Sequence, residues 1–189
     1  MNNKILERYQ SLIKKGLYQG ETELHHQAYL GNIKILEDCN VDKVFDSHDH
    51  TPLHTLAFLA IPEVLNHPSV NKVKNKKWVT PFMLLAYRGV VEILKHPAVG
   101  KFCYFGETPL HILAQKGKVE ILEHPLVDKI RNRENLTPLH VLVIEGKVSR
   151  KMLKKKYPWF KIKFWKKITH KTIDEILNTY NAERFIGEI

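Results

Sequence analysis

A four-residue motif recurs along the chain at nearly constant spacing, and this repetition constrains the fold more than any other feature. Strong copies begin at Thr51, Thr80, Thr108 and Thr137, and a weaker copy, Thr-Glu-Leu-His, begins at Thr22. Three of the strong copies read Thr-Pro-Leu-His, and the one at Thr80 reads Thr-Pro-Phe-Met. The steps between successive copies are 29, 29, 28 and 29 residues. A period of this size predicts an array of stacked repeats, not a domain folded around one globular core.

The motif predicts the start of a helix in each unit. Threonine is a common N-cap, and proline suits the first helical position because its missing N–H would be unpaired there. Apolar residues follow at helical spacing, as Leu53, Leu56 and Ala57 do in the second unit. Nine residues after the threonine stands a glycine, or Ala60 in the second unit, which predicts a helix end with positive φ.

A second, shorter helix is predicted after each glycine. Paired apolar residues such as Ile121-Leu122 mark it, and His-Pro pairs at His67, His96 and His124 keep the same period. Proline disfavours helical geometry in the residue before it, so each His-Pro pair predicts the end of this helix. A polar, extended stretch then leads to the next threonine. Each unit is therefore predicted to be helix, turn, helix and extended loop.

These features resemble the ankyrin repeat family, whose markers are Thr-Pro-Leu-His, an alanine in the same helix, and Gly-x-Val-Glu-Ile-Leu. The resemblance covers about residues 18–160. It implies an all-α helical repeat solenoid of about five units, at residues 22–50, 51–79, 80–107, 108–136 and 137–168. Ankyrin units are about 33 residues long, so the units of this chain are shorter. The missing residues are those that would follow the glycine. The second helix is therefore expected to be about one turn short.

A repeat array needs caps that cover its two open ends, and we expect helical caps at residues 1–21 and 169–189. An apolar helical face near Ile5 supports the first cap, and a capping box that opens at Thr172 supports the second. The 189 residues would then form a single repeat domain.

Composition indicates an intracellular protein. The two cysteines, Cys39 and Cys103, are too few for a disulfide-stapled secreted domain. No run of 18 apolar residues occurs, and the N-terminus lacks the pattern of a secretory signal. We expect no membrane span, a cytoplasmic location, and a monomer in isolation.

Eleven histidines raise the question of metal binding or catalysis. Seven of them belong to the motif or to the His-Pro pairs, and the resemblance implies that the motif histidine ties the helix start to the adjacent hairpin. The run His48-Asp49-His50, with His54 nearby, could hold zinc, but no second ligand spacing supports it. No phosphate loop, nucleophile elbow or paired-cysteine motif occurs. We expect no catalytic residues, no cofactor and no metal.

Partner-binding residues are implied by the resemblance at two places, the pair before each glycine and the hairpin tips. The first place includes Tyr29, Phe58, Leu59, Tyr87 and Arg88. Its three aromatic residues share one position in consecutive units and are expected to form a column on the concave face, where aromatic and Arg side chains dominate binding. Alternatively, the shortened units pack more tightly and bury these rings as core.

The hairpin tips carry three further aromatic residues, Trp78, Tyr104 and Phe105. Exposed, they would form a protein-binding patch; folded back, they would only shield the hairpins. The leading interpretation of the whole chain is a non-catalytic scaffold that binds a protein partner through its concave face and these tips.

Positive charge is concentrated in residues 147–171, which hold eleven Lys/Arg and no acid, whereas residues 1–146 have a net charge of only +2. Aromatic residues alternate with six candidate contact lysines, Lys154, Lys155, Lys161, Lys163, Lys166 and Lys167. The segment could simply cap the last repeat, bind an acidic protein or nucleic acid through these lysines, or lie on an anionic membrane surface. A nucleic-acid-binding protein that uses residues 147–171 is the alternative function.

Overall fold

The computed structural model describes residues 22–101 and 106–148, and these residues form α-helices and 3₁₀ helices joined by turns, with no β-strand among them. Contacts divide the chain into two compact units, residues 1–142 and 143–189. The two predicted caps lie outside the described residues. An all-helical fold is therefore confirmed for the described residues, while the boundaries of the individual repeats stay predictions.

Five α-helices of seven residues each carry the repeat. They are α1 Glu23–Tyr29, α2 Pro52–Phe58, α3 Pro81–Tyr87, α4 Pro109–Gln115 and α5 Pro138–Ile144. In α1 to α4 the motif threonine is the N-cap and has an extended backbone. Proline occupies the first position of α2 to α5, as its fixed φ and missing N–H favour.

Four short 3₁₀ helices form the second helix of the units. They are η1 Ile33–Glu37, η2 Pro62–Asn66, η3 Val91–Lys95 and η4 Val119–Glu123. A 3₁₀ helix makes a turn in about three residues and is favoured in short pieces, which suits a segment that has lost a turn. η2, η3 and η4 each end one residue before a His-Pro pair, and His67, His96 and His124 adopt extended backbone there, with ψ of 131°, 136° and 132°.

The left-handed residue that ends each α-helix is also present. Gly31, Gly89, Gly117 and Gly146 have φ values of 72°, 76°, 72° and 65°. Ala60 takes the same place after α2 with a φ of 63°, although its Cβ atom disfavours that conformation. The shared conformation explains why glycine is the usual residue at this position.

The α-helices bury side chains at matching positions. α1 packs on α2, α2 on α3, and α3 on α4, while η2 contacts η3 and η3 contacts η4. The fully buried side chains come from matching positions of successive helices: Leu53, Leu56, Phe82, Leu85, Leu110, Leu113, Leu139 and Leu142. Because successive helices bury their apolar faces against one another, the core is continuous from α1 to α4.

Candidate functional site

Three motif histidines, His25, His54 and His111, connect a helix start to the loop that precedes the next motif. In the second unit the Thr51 backbone N–H donates to Nδ1 of His54 over 3.0 Å, and the Nε2 of the same ring lies 3.0 Å from the carbonyl oxygen of Val79. A neutral imidazole whose Nδ1 accepts a hydrogen bond carries its proton on Nε2, so Nε2 donates to that carbonyl. His54 thus takes the role of the glutamate in a capping box and reaches the next unit as well.

The same arrangement occurs in two further units. The Nε2 atoms of His25 and His111 lie 3.0 and 2.9 Å from the carbonyl oxygens of His50 and Leu136. Each acceptor immediately precedes the threonine of a later motif, 25 residues after the histidine. The repeating bond shows that these histidines are structural elements of the array.

Burial favours the neutral form of three motif histidines, His54, His111 and His140. Desolvation lowers the pKa of His54 to about 4, even though its hydrogen bond to the Val79 carbonyl raises it. Desolvation also lowers the pKa of His111, and it lowers the pKa of His140 to about 4, with Arg131 contributing in the same direction. A neutral ring can accept at Nδ1 and donate at Nε2 at the same time, as the bridging bond requires.

The histidines of the His-Pro pairs are structural in another way. Nδ1 of His67, His96 and His124 accepts a hydrogen bond from the backbone N–H two residues later, at 3.2, 3.1 and 3.2 Å. The side chain therefore closes a turn at the end of η2, η3 and η4. Local side-chain bonds of this kind compete with helix continuation and so reinforce the stop that proline imposes.

Three loops before the motif threonines, residues 46–50, 75–79 and 132–136, share one design, and we call them the first, second and fourth tip loops. Each is closed by a buried Asp or Asn, namely Asp46, Asn75 or Asn132. Its Oδ1 accepts the backbone N–H groups two and four residues later, at 2.8 to 3.1 Å. Sequence analysis missed these residues, although an Asp or Asn five positions before the threonine was a usable signal.

The residue two positions before the threonine has a left-handed backbone in these three loops and also before Thr108. It is Asp49, Trp78, Gly106 or Asn135, with φ values of 59°, 61°, 73° and 62°. Asp, Gly and Asn tolerate this conformation, whereas a bulky residue rarely adopts it. The backbone places the Trp78 side chain on the surface, where it is 54% exposed with Nζ of Lys74 4.7 Å from the centre of its ring. Trp78 is therefore an exposed tip residue.

Tyr29, Phe58 and Tyr87 are the last residues of α1, α2 and α3, and we call them the aromatic row. All three are half-buried. This degree of burial is intermediate between the two alternatives from the sequence, an exposed column and a buried core. The Arg88 guanidinium carbon lies 4.8 Å from the centre of the Phe58 ring, so a residue of the third unit covers a ring of the second. The row ends at α4, where Gln115 takes the position and donates to the Glu107 carboxylate.

The candidate binding residues lie at two ends of the helices. The aromatic row, half-buried Leu59 and exposed Arg88 are at the C-terminal ends, whereas Trp78 precedes the N-terminus of α3. A seven-residue α-helix is about 10 Å long, so the two groups form separate surfaces. Exposed Leu30, at 48%, directly follows the row residue of α1. Tyr104, Phe105 and the six candidate lysines lie outside the described residues.

The first tip loop brings together three side chains that can ligate a metal. The Oδ2 atom of Asp46 lies 3.1 Å from Nδ1 of His50, and the ligand atoms of Asp46, His48 and His50 all lie within 4.8 Å of one another. Burial raises the pKa of Asp46, but hydrogen bonds from the His50 side chain and from the backbone amides of His50 and His48 outweigh burial and lower it to about 2. The carboxylate is therefore ionised at neutral pH.

This cluster differs from the one considered from the sequence. The sequence grouped His48 and His50 with Asp49 and His54, whereas the structure uses Asp46 as the carboxylate and commits His54 to the Val79 carbonyl. The expectation of no metal rested on the lack of a second ligand spacing in the sequence, whereas the tip loop brings Asp46 to His48 and His50 from within its own turn.

Comparison with known proteins adds no relative to this picture: no protein-family model and no curated protein matches the chain. Within residues 22–101 and 106–148, every helix is too short or too polar to cross a membrane.

Proposed function

We propose that the chain is a non-catalytic, ankyrin-type scaffold that binds a protein partner through the aromatic row and the exposed side chains beside it. The motifs that resemble the ankyrin family coincide with the helix starts, the left-handed helix ends and the histidine bridges. The helices pack in sequential order, as in a repeat array. These features support the assignment of the array to that type.

The observation that carries the binding function is the aromatic row. Three aromatic side chains occupy the same position in three consecutive helices and remain partly exposed. Exposed Arg88 stacks on Phe58, and exposed Leu30 follows Tyr29. Aromatic and Arg side chains at a packed surface provide most of the binding free energy in protein interfaces, since they offer large contact areas on rigid supports.

The absence of catalysis is supported by how the buried histidines are used. Both ring nitrogens of His25, His54 and His111 take part in hydrogen bonds that hold the array together. A histidine in this state has no nitrogen left with which to accept or deliver a substrate proton. The most buried titratable side chains thus serve the fold.

Affinity capture from the native cell, with the full chain as bait, tests the proposed function. We expect a protein partner that remains bound after nuclease treatment and whose capture changes little with salt concentration, because aromatic contacts are screened little by ions. A matched variant with Lys154, Lys155, Lys161, Lys163, Lys166 and Lys167 changed to Gln should capture the same partner.

The competing function, nucleic-acid binding through the basic residues 147–171, predicts a different outcome. Eleven basic residues that neutralise phosphates would give binding that weakens steeply with salt. Bound material that disappears with nuclease, and that the six-lysine variant fails to capture, would reject the protein-binding scaffold in favour of this function.

A further inference from the structure

We propose that Asp46, His48 and His50 in the first tip loop form a binding site for a zinc ion. Zinc in proteins is bound by imidazole nitrogens and carboxylate oxygens at about 2.0–2.2 Å, usually in a tetrahedral arrangement. Ligand atoms of such a tetrahedron lie about 3.3 Å apart. The 3.1 Å between Oδ2 of Asp46 and Nδ1 of His50 matches one edge of it.

The loop holds the carboxylate in place for this role. Oδ1 of Asp46 accepts the backbone N–H groups of His48 and His50, both at 2.8 Å, which fixes the carboxylate plane. Oδ2 remains directed at the His50 ring. Two of the three ligands are therefore already positioned by bonds within the loop, which reduces the entropy that ion binding would otherwise cost.

His48 completes the set with a small side-chain movement. Its backbone N–H is bonded to Asp46, and its carbonyl accepts the N–H of Lys76 from the second tip loop at 3.2 Å. Its ring stacks loosely on that of His50, with centroids 5.9 Å apart. Because the His48 side chain is exposed, rotation about its side-chain torsions can bring a nitrogen to the ion.

A comparison between tip loops shows that the fold does not need these three residues. The second tip loop has Asn75, Lys77 and Val79 at the same positions, and Asn75 closes the loop with the same two backbone hydrogen bonds. An amide is therefore sufficient for closure, and a buried carboxylate adds a desolvation cost. The first loop combines that costly carboxylate with two imidazoles, which is a ligand set for zinc.

Ion binding requires the proton between Asp46 and His50 to leave. Within the neutral ring the proton moves from Nδ1 to Nε2 by exchange with solvent, and the ion takes its place between Nδ1 and Oδ2, with His48 as third ligand and water as fourth. A zinc ion there would fasten the exposed His48 side chain to the buried Asp46. Its effect would be to stabilise the first tip loop beside the second.

Calorimetric titration of the untagged, full-length protein with zinc chloride tests the site. We expect one zinc ion per chain. Asp46→Asn, His48→Lys and His50→Val each install the residue of the second tip loop, so the loop should stay folded while zinc affinity falls more than about tenfold, the least that loss of even an outer-shell partner costs. His26→Ala, on α1 outside the cluster, is the matched control and should keep wild-type affinity.

A second measurement needs no variant. In imidazole nitrogen NMR spectra, zinc should shift the signals of His48 and His50 and leave those of His67, His96 and His124 unchanged. Wild-type protein that binds no zinc, variants that bind as tightly as wild type, or zinc shifts confined to other histidines would each overturn the proposal.

Discussion

His54 Nε2 donates a hydrogen bond to the carbonyl oxygen of Val79, 3.0 Å away and 25 residues later in the chain. The Nδ1 of the same ring accepts the backbone N–H of Thr51 at 3.0 Å. One side chain thus caps its own helix and fixes the loop that leads to the next one. Because His25 and His111 repeat this bond, local capping and contact between units are accomplished by the same residues.

Replacement of His54 by Met measures the contribution of this bridge. Met83 already occupies the equivalent position in the third unit and is buried there, so the substitution preserves an apolar fit while it removes both hydrogen bonds. We expect the free energy of unfolding to fall by about 2–4 kcal/mol, since each buried group left without a partner costs about 1–3 kcal/mol. Urea denaturation followed by circular dichroism measures the change. The control is His26→Met, on the surface of α1. If His54→Met lowers the free energy of unfolding no more than His26→Met does, the structural role of His54 is contradicted.

Stability should decrease as the pH falls from neutral towards 4. The pKa values of His54 and His140 are lowered from 6.5 to about 4, and burial lowers that of His111 as well. The unfolded chain therefore binds more protons than the folded one between these pH values, so this contribution is complete above about pH 6.5 and is lost progressively below it. Urea unfolding across this range measures the slope. The slope should be smaller in His54→Met, and an equal or steeper slope in that variant would contradict the assignment.

Ala60→Gly should stabilise the protein. Ala60 has a φ of 63° at the position where the other units have glycine. Release of the left-handed strain gains roughly 1–2 kcal/mol, and the added freedom of the unfolded chain offsets about half of it, so a net gain of about 0.5–1 kcal/mol is expected. The reciprocal change Gly117→Ala should destabilise by a similar amount. Thermal unfolding measures both variants. A shift of both melting temperatures in the same direction would contradict the conclusion that Ala60 and Gly117 end their helices in the same left-handed conformation.

Leu113→Ala should destabilise the array more than any surface change. Leu113 is fully buried in α4. Truncation of a buried leucine costs about 2–5 kcal/mol, depending on how far the cavity collapses. Val119→Ala, at a side chain 42% exposed, is the control and should cost less than about 1 kcal/mol. Equal effects of the two variants would contradict the assignment of Leu113 to the core.

The sequence predicted the helix starts and ends because local chemistry determines them. Thr51-Pro52, the left-handed glycines and the His-Pro pairs each act within a few residues, so their effects can be inferred from spacing. The 3₁₀ form of the second helices was not predicted, since a length deficit does not specify the hydrogen-bond pattern. The backbone hydrogen-bond geometry of a five-residue segment decides whether it forms a 3₁₀ helix or an α-helix.

The candidate sites were harder to predict because they depend on where side chains point. Asp46 and His50 meet across a loop in which Asp49 has a left-handed backbone, and the repeat period of the sequence does not indicate that conformation. The degree of burial of Phe58 depends on Arg88, which comes from the next unit. Sequence spacing aligned the aromatic row correctly as one position in three helices, but its exposure is set by packing between units.

The affinity of the captured partner for variants of the aromatic row tests the central claim most directly. Tyr29→Ala, Phe58→Ala and Tyr87→Ala combined should weaken binding by at least about 30-fold, the equivalent of one interface residue worth about 2 kcal/mol. The matched control combines Phe45→Ala and Val119→Ala, at apolar side chains that are 47% and 42% exposed and lie outside the row, and it should bind as tightly as wild type. Calorimetric titration gives the affinities, and circular dichroism verifies that the row variant keeps its helices. A row variant that binds with wild-type affinity, or one that unfolds because the row is core, would contradict the account.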